Sequence, residues 1–402
     1  MRFLRTASTR RLLATIFGAL AAAAACAAIA VAATGVGPVP RPTTLANGIH
    51  AALSAGKQHP VTGVSADITF TDNLIDSTDL TGRTVDPLLQ GASGRLWWTA
   101  GGRFRLELQS DDGDAQIVVD HGSWWVSDPA QNVVFEGTMG RRAGSASSSG
   151  AHRSGQGLPT IASIQAELAR LMQRFDITGP TATDVAGRPA YSVTVSPKTS
   201  AGLLGSIQLA WDATRGIPLQ FNVYARGGTT PVLGLQATSV SYGAVPASVF
   251  EISPPAGARV VHVGGSGGGA LDAPAHHGPA ITGRGRVASH LSFRLHAPAS
   301  VNGLALRKVK LDGTDSALLL YGHGLGTIAV IESRASGAAS QPSSLDGLSL
   351  PTHNVDGATA TVLSTPLGTV LRFTRAGVGY TVVGSVTASA AEAAAGALAG
   401  GG

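Results

Sequence analysis

At 402 residues the chain suits about two domains of ordinary size, each long enough to bury its own core. Aromatic residues are 5 % and charged residues 13 %, with 53 glycines, so the apolar content is mostly Ala, Val and Leu: an Ala/Gly-rich globular composition with Gly/Ser spacers. The formal net charge is +5, but four arginines fall within the first eleven residues and the rest are scattered, which gives no clustered patch for nucleic acid. A single cysteine, Cys26, excludes an internal disulfide and makes thiol chemistry implausible.

The N-terminal segment carries Arg2, Arg5, Arg10 and Arg11, then an uncharged apolar run from Leu12 to Ala33. A positive flank followed by an apolar run and small residues reads as an export signal. The run is long enough to span a bilayer, so a cleaved signal and an uncleaved anchor stand equally; in both, everything after about Pro38 lies outside the cytoplasm. Gly37 to Pro42 is a stiff Pro-rich spacer. Leu45, Ile49, Ala52 and Leu53 recur at helical spacing behind a Thr44 cap, and Val64 to Phe70 alternates as a strand.

Gly94 to Gly137 carries four of the five tryptophans. Phe104, Leu106 and Leu108 alternate with Arg103, Arg105, Glu107 and Gln109, and turns are marked at Gly101-Gly102, Asp111-Asp112-Gly113, His121-Gly122 and Asp128-Pro129. That pattern predicts an antiparallel meander with one apolar and one wet face. Trp97-Trp98 and Trp124-Trp125 each send one ring to each face. Arg141 to Gly157 is a loop by composition. Pro159 to Phe175 is the strongest helix pattern, with Ile161, Ile164, Leu168, Leu171 and Phe175 at steps of three and four.

A second strand series follows: Tyr191-Val193-Val195, Ile207-Leu209-Trp211, a turn at Asp212 to Gly216, then Ile217-Leu219-Phe221-Val223, and a last strand from about Val232 to Tyr242. Val263 to Gly285 is a Gly-rich linker. Beyond it, strands are expected over 304–311, 317–321, 327–332, 369–373 and 380–385, then an Ala-rich helix over 388–398. The expected division is 1–34 signal or anchor, 35–43 spacer, 44–262 N-terminal folded unit, 263–287 linker and 288–398 C-terminal unit.

No constellation for catalysis stands out. Asp111, Asp112 and Asp114 sit in a D-D-G-D turn, where backbone preferences account for them and no calcium-loop spacing follows. His276-His277, flanked by His262 and His290, lie in or near a Gly-rich linker without the fixed ligand spacing of zinc sites. Gly264 to Gly269 lacks the Lys-Ser/Thr of a phosphate loop, and no serine stands in a nucleophile elbow. The expectation is a non-enzymatic protein without metal or cofactor. What remains is apolar surface, which either closes as a core or leaves a cavity for an apolar ligand.

Gly94-Arg95-Leu96-Trp97-Trp98 through Phe104-Arg105-Leu106-Glu107, then Asp120-His121-Gly122-Ser123-Trp124-Trp125, resembles the strand run of the LolA-like lipoprotein carrier superfamily. Gly187 to Tyr191, Trp211-Asp212 with Gly216 to Leu219, and Val245-Pro246 with Phe250 and Pro254 to Ala258 resemble its later strands and closing P-P-x-G-A. Leu319 to Leu325 followed by Ile328 to Glu332, and Tyr380 to Gly384 before an Ala-rich helix, resemble the C-terminal domain of RseB/MucB-type sigma-factor regulators, with His323 where that pattern carries Asp.

The resemblance implies an α+β fold: an antiparallel half-barrel of about eleven strands covered by helices, plus a small C-terminal α+β domain. It implies binding of lipid or lipoprotein acyl chains, in lipid handling or envelope sensing, in an actinobacterial-like member; the alternative is a regulator of a membrane anti-sigma factor without bound lipid. On this basis the expected cavity residues are Trp97, Trp98, Phe104, Leu106, Trp124 and Trp125 on the sheet, Ile164, Leu168 and Leu171 on the covering helix, and Trp211 and Phe221 on the later strands.

Overall fold

The computed structural model describes residues 37–75, 91–109, 114–129, 132–138, 158–262, 281–335, 344–345 and 348–400. The expected signal or anchor, Asp111-Asp112, the loop 141–157, Gly264–Gly269 and His276-His277 lie outside them. No helix among the described residues is long and apolar enough to cross a membrane.

Helix α1 (Leu45–Gln58) starts where Thr44 Oγ1 accepts from the Asn47 amide at 3.3 Å, closing one of the open donors of the first turn. Strand β1 (Gly63–Asp72) follows, then the meander β2 (Ala92–Thr99), β3 (Arg103–Gln109), β4 (Ala115–Asp120), β5 (Ser123–Asp128) and β6 (Val133–Thr138). The expected turn between β4 and β5 is tight because His121 and Gly122 both adopt positive φ, 48° and 94°, as a hairpin turn matched to strand twist requires. Helix α2 (Ile161–Leu171) leads into β7 (Phe175–Val185), β8 (Arg188–Pro197), β9 (Leu204–Asp212), β10 (Pro218–Ala225), β11 (Pro231–Tyr242) and β12 (Arg259–His262).

These strands form one 12-stranded sheet in the order β12-β6-β5-β4-β3-β2-β1-β11-β10-β9-β8-β7. The sheet thus has twelve strands against the expected eleven or so: β1 to β11 pair antiparallel, and β12 joins parallel to β6, with Arg259 opposite Val133 and His262 opposite Glu136. The sheet curls rather than lying flat, and register shifts in the β1–β11, β9–β10 and β10–β11 pairings mark bulges.

The predicted helix over 159–175 is shorter than expected. It ends at Leu171, and Phe175 begins β7, opposite Pro197 of β8. The four-residue step from Leu171 to Phe175 satisfies a helix, but cross-strand pairing with β8 wins. Helix α2 packs on α1, and of its apolar stripe only Ile164 is buried; Ile161 and Leu171 are exposed.

The C-terminal unit contains α3 (Arg284–Ala288), β13 (Ser300–Val301), β14 (Leu304–Asp312), β15 (Ser316–Tyr321), β16 (Ile328–Arg334), β17 (Ser344–Leu345), β18 (Leu348–Ser349), β19 (Thr352–Val355), β20 (Ala358–Thr365), β21 (Gly368–Arg375), β22 (Val378–Gly384) and α4 (Ala388–Ala399). Its eight-stranded sheet runs β13-β14-β15-β16-β22-β21-β20-β19, and β17–β18 pair separately. Strands β19 and β20 lie outside the expected strands: β19 is the short polar run Thr352 to Val355, and the Ala/Thr alternation that opens β20 reads weakly as strand. Helix α4 is capped by Thr387 and buries Ala391, Ala394, Ala395, Leu398 and Ala399, small side chains that let it lie close against β21 and β22.

Candidate functional site

Pairing without register shifts through β2 to β6 fixes which side chains share a face, because residues directly opposite across antiparallel strands point the same way. One row runs Trp98, Phe104, Val119, Trp124. The next runs Leu96, Leu106, Ile117, Val126, Phe135 and continues to Val261 on β12. A third runs Ile68, Gly94, Leu108, Ala115.

These rows differ in burial. In the third, Ile68, Leu108 and Ala115 are closed off and pack with Ala66 and Ala237. The first two rows are half-buried throughout β2 to β6. A continuous apolar band spanning five strands, about 19 Å at ~4.8 Å per strand, therefore remains partly open to solvent. Next to it, Ala66, Ile68, Leu96, Phe221, Leu235 and Val240 line an apolar hollow of about 100 Å³. That is below the ~300 Å³ lower end of small-molecule pockets, so the described residues offer an open apolar face with a dimple rather than a closed chamber.

The opposite face of the meander is partly roofed by protein. Its central row is Trp97, Arg105, Val118, Trp125, Glu136. The tail after β11, residues 246–258, folds across it: Ile252 and Ala258 pack on Val118, Trp125 and Val134, and Arg105 Nη1 donates to the Val249 carbonyl at 3.0 Å. The Arg105 guanidinium also lies 5.1 Å from the Trp97 ring and pairs with Glu107. The segment that resembles the closing P-P-x-G-A is thus the roof of this face.

The structure accordingly divides the expected cavity residues. Trp98, Phe104, Leu106 and Trp124 share the open face, and Phe221, 43 % exposed, joins it at the hollow. Trp97 and Trp125 lie on the roofed face. Trp211 is buried beneath α1, where a methyl at Gly48 would meet its ring at 3.5 Å, and beside Tyr191 at 6.0 Å between ring centroids. Ile164 is buried, Leu168 is half-buried and Leu171 is exposed on α2. The residues that sequence reasoning passed over are Ile117, Val119, Val126 and Phe135; their strands are short, and the doublets Val118-Val119 and Val133-Val134 hide the alternation.

The open face carries no charged side chain in its two half-buried rows. At the far end of the sheet, Asp212 accepts from the Thr214 and Arg215 amides at 2.7 and 2.9 Å and from Tyr242 Oη at 2.8 Å. Burial, then the Asp212 carboxylate, pushes the Tyr242 phenol well above its usual range. Burial likewise raises Asp72, at the end of β1, partly offset by the Leu74 amide. The flanking histidines separate: His262 Nδ1 lies 2.9 Å from Glu136 Oε1, and His290 Nδ1 lies 2.8 Å from the Arg286 carbonyl. Among the described residues no group of three His, Cys, Asp or Glu is placed to hold a metal ion.

No family model matches the chain, and no curated protein matches it. Among solved structures it is similar to MucB in the Pseudomonas aeruginosa MucA/MucB complex, at 17 % identity and a TM-score of 0.40 over 88 % of this chain and 97 % of that one. It is also similar to an uncharacterized conserved protein from Thermus thermophilus, at 10 % identity and a TM-score of 0.33 over 53 % and 97 %, and to a LolA superfamily protein from Nitrosomonas europaea, at 10 % identity and a TM-score of 0.19 over 52 % and 99 %.

Proposed function

We infer that the chain is an extracytoplasmic binding protein that holds acyl chains of lipids or lipoproteins on the open face of β2 to β6, in lipid handling or envelope sensing. The observation that carries this reading is the pair of half-buried rows, Trp98-Phe104-Val119-Trp124 and Leu96-Leu106-Ile117-Val126-Phe135. Soluble chains rarely leave so extended an apolar band without a partner. An acyl chain laid across it gains about 0.8 kcal/mol per methylene removed from water. The band is chemically indifferent to which chain it carries, as expected of a surface that grips by area rather than by hydrogen bonds.

The Arg-rich, then apolar, N-terminal pattern of residues 1–33 supports the extracytoplasmic placement, with a signal or a membrane anchor as the delivery device. A second reading, restraint of a membrane anti-sigma factor through the C-terminal unit, rests on the sequence resemblance of 319–332 and 380–384.

The test is native mass spectrometry of the exported protein purified from a bacterial membrane host. Co-purifying diacyl lipid or lipoprotein acyl chains are expected. A protein that is persistently empty, and stays empty when offered lipid, would sink the lipid reading and leave the partner-binding one.

A further inference from the structure

The roofed face of the meander holds a second site that the acyl-chain reading does not use. Between β4 to β6 and the tail at 250–252 lies a cleft of about 510 Å³, within the ~300–1,000 Å³ typical of small-molecule sites. Its floor is apolar: Val118, Trp125 and Phe250 are 2 %, 9 % and 2 % exposed. Its rim is acidic, formed by Asp120 at the end of β4, Glu136 on β6 and Glu251 on the tail.

The cations facing it are few. Arg103 on β3 is held by Asp120 at 3.0 Å, with its guanidinium 6.0 Å from the Phe250 ring. His121 in the β4–β5 turn pairs with the same Asp120, and His262 on β12 with Glu136. On the neighbouring positions Arg105 and Glu107 neutralise each other. Glu251 has no ion-pair partner among the described residues and is exposed. Asp120, Glu136 and Glu251 are three acids facing one arginine, Arg103, at this cleft, in a chain whose formal net charge is +5.

This combination selects a ligand class. An anion would meet carboxylates, a neutral alkane would leave the rim desolvated without compensation, and a zwitterionic lipid headgroup would bring its phosphate beside the acids. We propose that the cleft binds a small organic cation with an alkyl or aryl body: the ammonium group sits at Glu251 and Glu136, and the body lies on Trp125, Phe250 and Val118. Aromatic side chains attract a cation that has been partly stripped of water, and the indole of Trp125 is the strongest such partner on the floor. Its floor and acidic rim are on the other side of the sheet from the acyl face, with Trp124 of that face at its edge.

Isothermal titration calorimetry on the full chain, held in a nonionic amphipol and corrected by an amphipol blank, tests this with hexyltrimethylammonium and hexyl sulfate as probes. The cation is expected to bind about tenfold more tightly than the anion of equal chain length, a difference large enough to measure cleanly. The Glu136→Gln/Glu251→Gln variant is expected to lose that preference. Glu251→Gln alone, exposed and unpaired and therefore no threat to folding, is expected to weaken the cation about threefold, with thermal unfolding unchanged. Equal affinity for the two probes, or an unchanged preference in Glu251→Gln, overturns the assignment.

Discussion

In the eight-stranded sheet Leu319, Ile328, Val330, Leu371 and Val382 are fully shielded and join Val287 of α3 and the alanines of α4 in one continuous core. In the larger sheet the buried residues fall into separate small clusters, while Trp98, Phe104, Leu106, Ile117 and Val126 stay half-open between them. Both sheets present apolar residues at strand spacing, so the difference lies in the cover. Helix α4 lies along β21 and β22, whereas α1 and α2 gather near β7 and Trp211 and, among the described residues, leave β2 to β6 uncovered on one side. A closed sheet stabilises the chain; an open one costs stability and leaves apolar surface in contact with water.

The largest expected effect sharpens that contrast. Leu371→Ala, in the closed core, should cost about 2–5 kcal/mol through lost burial and the cavity left behind. Leu106→Ala, half-buried on the open face, should cost less than half as much. Urea unfolding of the two variants checks this, and equal losses would mean that the open face is packed like a core.

A pH effect of the second rank belongs to the closed sheet. Glu332 is fully buried, opposite Ala317 and Tyr380, with Oε2 accepting from the His296 amide at 2.9 Å. Burial raises its carboxyl from the ordinary 4.5 to about 7, and that carboxylate adds to burial in pushing up the Tyr321 phenol and the Tyr380 phenol, the latter to about 12. The folded state keeps the proton up to about pH 7, whereas the unfolded chain releases it near 4.5. This contribution is therefore full below pH 4.5 and lost as pH rises through 7, amounting to about 3 kcal/mol at ~1.4 kcal/mol per unit. Glu332→Gln should flatten the dependence, seen as equal urea midpoints at pH 5 and pH 8; a wild-type midpoint that does not fall between those pH values would contradict the assignment.

Smaller effects come from the edges of the elements. Thr387→Ala removes the acceptor for the Ala390 amide at the start of α4 and should cost about 1 kcal/mol. Arg95→Ala breaks a 3.6 Å pair with Asp67 in which both side chains are 60 % exposed, and should change stability by less than about 0.5 kcal/mol. Thermal unfolding of the two variants ranks them.

Much of this was legible from residue order. The adjacent tryptophans had to separate to opposite faces, and Trp98 and Trp124 did so from Trp97 and Trp125. Which face would stay open was not legible, because the roof over Trp125 is built from residues 246–258, more than a hundred positions away. Helix α2 was misjudged in length because Phe175 continues a helical step as well as it begins a strand. Strand β12 has only four residues and gains its place from parallel pairing with β6. Nothing local distinguishes Glu332, at the end of an apolar strand, from an exposed acid; its burial comes from the elements packed around it.

The acyl-chain reading rests on one face of one meander, so the decisive measurement compares the two halves of a tryptophan pair. Trp98→Asp and Trp97→Asp are purified side by side with the parent chain, and bound lipid is counted by native mass spectrometry, with circular dichroism showing that each is folded. The parent and Trp97→Asp are expected to carry lipid, and Trp98→Asp to be empty. Lipid retained by Trp98→Asp to the same extent as by the parent would contradict the assignment of the open face.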